Sequence, residues 1–157
     1  MIAMIRIKGR VNIDGDVENT LSRLRLRRKY ACVVINSTKE TDGMIKKVKD
    51  FVAYGEIKKD TFEKLLEKRG QLVDRKKKAD LKAVISGVES GKAYAEYNLK
   101  PFFRLHPPRG GIEIKNQFGV GKGVLGNNGE HINKLIEKML WKSMKLKPLL
   151  NLLGHFF

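Results

Sequence analysis

Residues 19–36, NTLSRLRLRRKYACVVIN, change their periodicity midway, and that change decides the fold. Up to Leu24 the apolar positions Val17, Leu21 and Leu24 recur at helical spacing, whereas from Ala31 the chain becomes the β-branched run expected of a strand. Upstream, MIRIKG (residues 4–9) alternates with period two, which puts Ile5 and Ile7 on one face of a half-buried strand and Arg6 and Lys8 on the other. Asp14 or Asp16 stands where a cap for the intervening helix belongs. Downstream of Thr41 a second helix carries Met44, Ile45 and Val48, and FVAYGEI (51–57) reads as a third strand. The first 57 residues therefore run β-α-β-α-β, with helices expected over one face of a small sheet.

Beyond residue 57 the character changes. KDTFEKLLEKRG (59–70) pairs Asp60 with Glu63 at capping-box spacing, lines up Phe62, Leu65 and Leu66, and stops at Gly70. QLVDRKKK (71–78) is a basic connector, and ADLKAVISGVES (79–90) continues as a helix through Leu81, Val84, Ile85 and Val88, with Gly87 lowering its propensity. PFFRLH (101–106) and IEIK (112–115) read as the two strands of a hairpin around the turn PPRGG. NQFGVGKGVLGNNG (116–129) is expected to be an irregular loop, followed by a helix with the stripe Ile132, Leu135, Ile136 and Met139. The parts expected are thus 1–57, a helical insertion 58–98, a hairpin–loop–helix unit 99–140, and an apolar and basic tail 141–157.

Charge narrows the function. The chain carries 33 Lys and Arg against 17 Asp and Glu, a net charge of +16, and self-repulsion of that size is ordinarily offset by a polyanion. Nucleic acid is the leading partner. No run approaches the roughly 20 apolar residues of a membrane span, and MIAMIRIKGRV does not read as a signal peptide, so a cytoplasmic protein without membrane attachment is expected. Lone Cys32 lies in a strand and reads as a small buried hydrophobe. His106, His131 and His155 lie on separate segments without zinc spacing, so neither metal nor cofactor is expected.

Five cations, Arg23, Arg25, Arg27, Arg28 and Lys29, fall within seven positions. A helix C-terminus needs one or two, so this cluster reads as a phosphate-binding patch. FGVGKGVLG lacks the Ser or Thr that a P-loop places after its lysine, since Gly123 follows Lys122. No acid/base pair of carboxylates and no Ser/His/Asp order is present, so neither an enzyme nor a small-molecule substrate is expected. VLGNNGEHINKLI (124–136) resembles the GXXG loop of KH domains, which clamps single-stranded RNA. The same residues also read as a plain helix start, with Asn127 capping, Glu130 at capping-box spacing, and backbone amides suited to a phosphate. A KH unit requires a helix before the loop, and glycine-rich NQFGVGKGVL does not supply one.

Two blocks carry a family resemblance. TLSRLRLRR (20–28) with TDGMIKKVKDFVAYGEI (41–57), and FFRLHPPRGG (102–111) with GVLGNNGEHINKLIEKM (123–139), together resemble the large-subunit ribosomal protein family called L-thirty in bacteria and L-seven in eukaryotes, in its longer archaeal form. Residues 58–98 are similar to the archaeal helical insertion, whereas the tail from Trp141 does not match. The resemblance implies an α+β fold related to ferredoxin-like sandwiches, with a three-stranded antiparallel sheet backed by two helices. It also implies a structural, non-enzymatic component of the large ribosomal subunit whose partners are rRNA and neighbouring ribosomal proteins. Carried residue by residue, it points to Arg25, Arg27, Arg28 and Lys29, to Gly43, Met44, Lys46 and Lys47 at the start of helix two, and to Arg104, His106, Arg109, Gly110 and Gly111. The residues themselves add Arg23, Lys115, Lys122, Asn127 and Asn128 as candidate RNA contacts. A free single-stranded RNA-binding regulator with a KH-like clamp is the alternative. For the tail, the leucines and phenylalanines after Pro148 suggest docking on the protein itself or on a neighbouring ribosomal protein.

Overall fold

The computed structural model describes residues 1–108 and 110–140. The expectations for Arg109 and for the tail 141–157 lie outside the described residues. The first half follows the expected order: β1 (Ile2–Arg6), α1 (Gly15–Arg23), β2 (Ala31–Ile35), α2 (Lys39–Val48) and β3 (Val52–Glu56). β1 lies between β2 and β3, antiparallel to both, with Ile5 opposite Cys32 on one side and Ala53 on the other. Next come α3 (Lys59–Arg69), α4 (Leu81–Glu89), β4 (Phe103–Arg104), β5 (Glu113–Gln117), β6 (Gly123–Asn127) and α5 (Ile132–Met139).

The three-stranded core is extended on both edges. The strand order is β4-β2-β1-β3-β6-β5, so the sheet has six strands instead of three. PFFRLH and IEIK do not form the expected hairpin. β4 pairs antiparallel with β2, while β5 lies at the far edge, parallel to β6 with a shift in register. The hairpin signal failed because each segment finds its partner in the sheet, and such long-range pairing leaves no local trace. Part of the expected glycine-rich loop, Gly123–Asn127, is β6, parallel to β3.

Alternation along the central strands fills both faces. Met4, Val33 and Val52 meet Leu21, Leu24, Ile45 and Val48 of α1 and α2. Ala3, Ile5, Cys32, Val34 and Ala53 meet Phe62, Leu66, Val84 and Ile136 of α3, α4 and α5. The helices of the second half therefore cover the face that the first two helices leave open. Burial holds the Cys32 thiol far above its ordinary pKa and so keeps it protonated.

Side chains rivet the helical insertion to the sheet. The Tyr94 hydroxyl donates to the Val34 carbonyl at 2.6 Å, the Asn36 amide donates to the Val88 carbonyl at 2.6 Å, and the Tyr94 ring meets Phe103 edge-on. Gly87, weak as a helix former, is required by packing, since a Cβ there would meet the Tyr97 hydroxyl. The Asp60 and Glu63 capping box does not form. Asn133 of α5 serves instead, accepting from the Lys58 amide at 2.9 Å and donating to the Glu56 carbonyl at 3.1 Å.

Candidate nucleic-acid interface

Arg6 is the largest departure from period-two reading. Expected on a solvated face, it is fully buried, because α1 covers that face of β1. A buried guanidinium is tolerated only when its donors are engaged, and here they are. Nη1 donates to the Leu26 carbonyl at 2.8 Å, Nε to the Lys8 carbonyl at 3.0 Å, and Nη2 to the Gly9 carbonyl at 3.2 Å. Nη2 also pairs with Glu18 at 3.0 Å.

These bonds shape the segment between α1 and β2. Arg25 and Tyr30, at φ 66° and 65°, both take the left-handed conformation that non-glycine residues rarely adopt. Such geometry persists only where the surroundings enforce it. The Arg25 amide donates to Ser22, the Leu26 amide to Leu21, and the Tyr30 amide to Arg6 at 2.7 Å. Arg10 clamps the segment from outside, with Nε and Nη2 both on the Arg27 carbonyl at 3.0 and 2.7 Å. On the far side the Leu105 amide donates to the Tyr30 carbonyl and so ties in β4.

The result is a groove of about 530 Å³ whose lining includes Arg10, Arg25, Arg27, Arg28, Lys29 and Arg104. The fold thus brings the basic segment together with Arg104, seventy-odd residues away in sequence, and adds Arg10. Arg23 lies beside it in an adjoining concavity shared with Arg25 and Arg27. Pro101, Phe102, Ala31 and Leu105 complete the groove's lining, and the Arg104 guanidinium lies 5.7 Å from the Phe102 ring centroid.

Other expected residues fall elsewhere. Gly43, Met44, Lys46 and Lys47 do not start α2, which begins at Lys39 with Thr38 accepting from the Thr41 amide; Lys46 and Lys47 occupy its last turn. None of the four lines the groove. His106 follows β4, its amide bonded to the Met139 carbonyl. Partial burial, and then the nearby Arg69, hold its imidazole below the ordinary pKa, so at neutral pH it is an uncharged donor and no cation. Gly110, Gly111 and Lys122 line a separate concavity with Asn116, and Lys115 is exposed on β5.

Asn127 does not cap α5. Its side chain accepts from the Gly129 amide at 2.9 Å within the turn, and a short 3₁₀ turn, Gly129–His131, leads into the helix. Asn128, expected at the surface, is 3% exposed, and its amide nitrogen donates to the Val124 and Gly126 carbonyls at 2.7 and 3.0 Å. It closes the turn instead of facing a ligand. A strand, β6, precedes this turn where a KH unit would need a helix.

Sequence reading missed Arg6, Arg10 and Phe102. Period two leaves Arg6 facing solvent because alternation cannot tell a wet face from one covered by a helix. Arg10 carries its signal only in the loop's geometry, and Phe102 was hidden beside buried Phe103. Among the described residues, no group of His, Cys, Asp and Glu could hold a metal, and no helix is long and apolar enough to cross a membrane.

Comparison with known proteins identifies the family. The family model described as ribosomal protein L30p/L7e matches residues 2–52, the unit that carries the basic segment. The chain is 42% identical over 155 residues to the large ribosomal subunit protein uL30 of Archaeoglobus fulgidus, covering 88% of this chain and 99% of the relative. It is 40% identical over 152 residues to the uL30 of Methanococcus maripaludis, covering 88% and 98%. To that of Methanopyrus kandleri it is 39% identical over 150 residues, covering 85% and 100%.

Proposed function

The chain belongs to the ribosomal protein L30p/L7e family, and on that premise we propose that it stabilises folded rRNA in the large ribosomal subunit through the groove beside β4. It is a structural constituent of that subunit, with rRNA and neighbouring ribosomal proteins as partners, on the cytoplasmic ribosome. No catalytic step, cofactor or small-molecule substrate enters the reading.

The convergence of six cations from three segments of chain into one groove carries the proposal. Arginine's planar fork engages phosphate oxygens bidentately, and a rigid basic concavity holds them in register with the folded RNA. Arg23 widens the patch along α1. Lys115, Lys122, Gly110 and Gly111 form a second, separate contact at the other edge of the sheet. The free single-stranded regulator loses its support, because the GXXG-like turn spends Asn127 and Asn128 on its own backbone. Co-sedimentation tests the choice: quantitative recovery with large subunits at moderate salt is expected, and a soluble pool on assorted short RNAs would defeat the ribosomal reading.

A further inference from the structure

The groove's lining holds more than phosphate binding requires. Cations alone suffice for a backbone, yet Pro101, Phe102 and Leu105 also contribute, in a volume of about 530 Å³. That volume falls within the roughly 300–1,000 Å³ of small-molecule pockets. Phe102 is half-buried, so part of it remains open, and Arg104 lies 5.7 Å from its ring centroid. Aromatic rings and guanidinium planes are the surfaces on which unstacked bases lie in RNA-binding proteins. Both sides of the groove are also tethered, by Arg6 and Arg10 to the Leu26 and Arg27 carbonyls and by Leu105 to Tyr30, so little ordering remains to be done on binding.

We propose that this groove captures one unpaired nucleotide of the RNA, its base against the Phe102 ring and its phosphates among Arg25, Arg27 and Arg28. The inference rests on the rRNA reading above and deepens it, from recognition of RNA shape to capture of a single splayed base. An extended acidic peptide would satisfy the cations but leave the ring without a flat partner.

Footprinting of purified large-subunit rRNA with the full-length protein separates the two. With the wild-type protein, backbone protections from hydroxyl radicals are expected together with at least one unpaired nucleotide whose base becomes unreactive to base-specific probes. In Phe102→Ala that base regains reactivity and affinity falls roughly 5- to 150-fold, the range for losing one stacked base. The backbone protections remain and certify a folded protein, and Phe102→Tyr restores the base protection. Base reactivity and affinity in Phe102→Ala within twofold of the parent would overturn the capture while leaving the rRNA reading standing. Absence of any backbone footprint with the wild-type protein would instead remove the rRNA reading and the capture with it.

Discussion

Two turning, cation-bearing segments of this protein are built in opposite ways. Residues 24–30 contain no glycine, yet two of them sit in left-handed conformation, held there by a buried guanidinium beneath and by Arg10 outside. Residues 110–122 reach comparable curvature with Gly110, Gly111, Gly119 and Gly121, all at positive φ where glycine meets no steric penalty. Within the segment Glu113 donates to the Lys122 carbonyl and Val120 to Gln117, while Phe118 donates to the Leu125 carbonyl of β6 and the Gln117 side chain to Asp50. Phe118 and Val120 are 41% and 58% exposed. The first segment owes its shape to the core and the second to its composition. The first is also the denser in cations, four of seven residues (Arg25, Arg27, Arg28 and Lys29) against Lys115 and Lys122 among thirteen, and its anchorage is what lets those charges meet a rigid RNA without a further ordering cost.

The contrast breaks most directly at Arg6. Arg6→Met should cost about 3 kcal/mol or more in urea unfolding, because buried carbonyls lose their donor and Glu18 its partner. A loss below about 0.5 kcal/mol, the level of an ordinary surface change, would show that the basic segment does not depend on the core. Charge reversal is the next largest effect, read in binding and not in stability. The double variant Arg27→Glu, Arg28→Glu should weaken rRNA binding and flatten its salt dependence, each lost phosphate contact removing up to roughly 0.9 from the slope of log K against log salt. Lys115→Glu with Lys122→Glu should change that slope less, and equal changes would erase the distinction between the two segments. Gly119→Ala is expected to cost only about 1 kcal/mol, the penalty of a left-handed alanine with nothing to collide with. Smallest is a pH effect at His106, just past β4. Since His106 titrates below its ordinary 6.5 when folded, it supports stability above that value and the support is lost as pH falls through the folded pKa. His106→Gln should therefore flatten the acid limb of the stability profile slightly; an unchanged limb would assign that slope to other groups.

Much of the fold was legible because its first 57 residues encode local periodicities strong enough to read singly. Val17, Leu21 and Leu24 specify α1, and the run from Ala31 specifies β2, with no reference to distant partners. The largest failures are non-local. PFFRLH and IEIK read as neighbours because they flank a turn, whereas β2 and β6 claim them at opposite edges of the sheet. Capping residues misled for the same reason: Asp60 and Glu63 have the right spacing, but Asn133 from α5 takes the place at the head of α3. In the site, Arg25, Arg27, Arg28 and Lys29 were visible as a cluster and Arg104 as a separate cation. Nothing in their spacing tells that they share one groove.

By itself the sequence determined the strand and helix order of the first half, the polyanionic character of the partner and the family to which the chain belongs, since charge balance and apolar period are properties of the chain alone. Tertiary structure decided which face of β1 is wet, which edges β4 and β5 occupy, and where the cations meet. Those outcomes depend on contacts between residues far apart in sequence. A period-two pattern places Arg6 opposite Ile5, but only the helix packed over it turns a surface arginine into the buried fork from which the basic segment is hung.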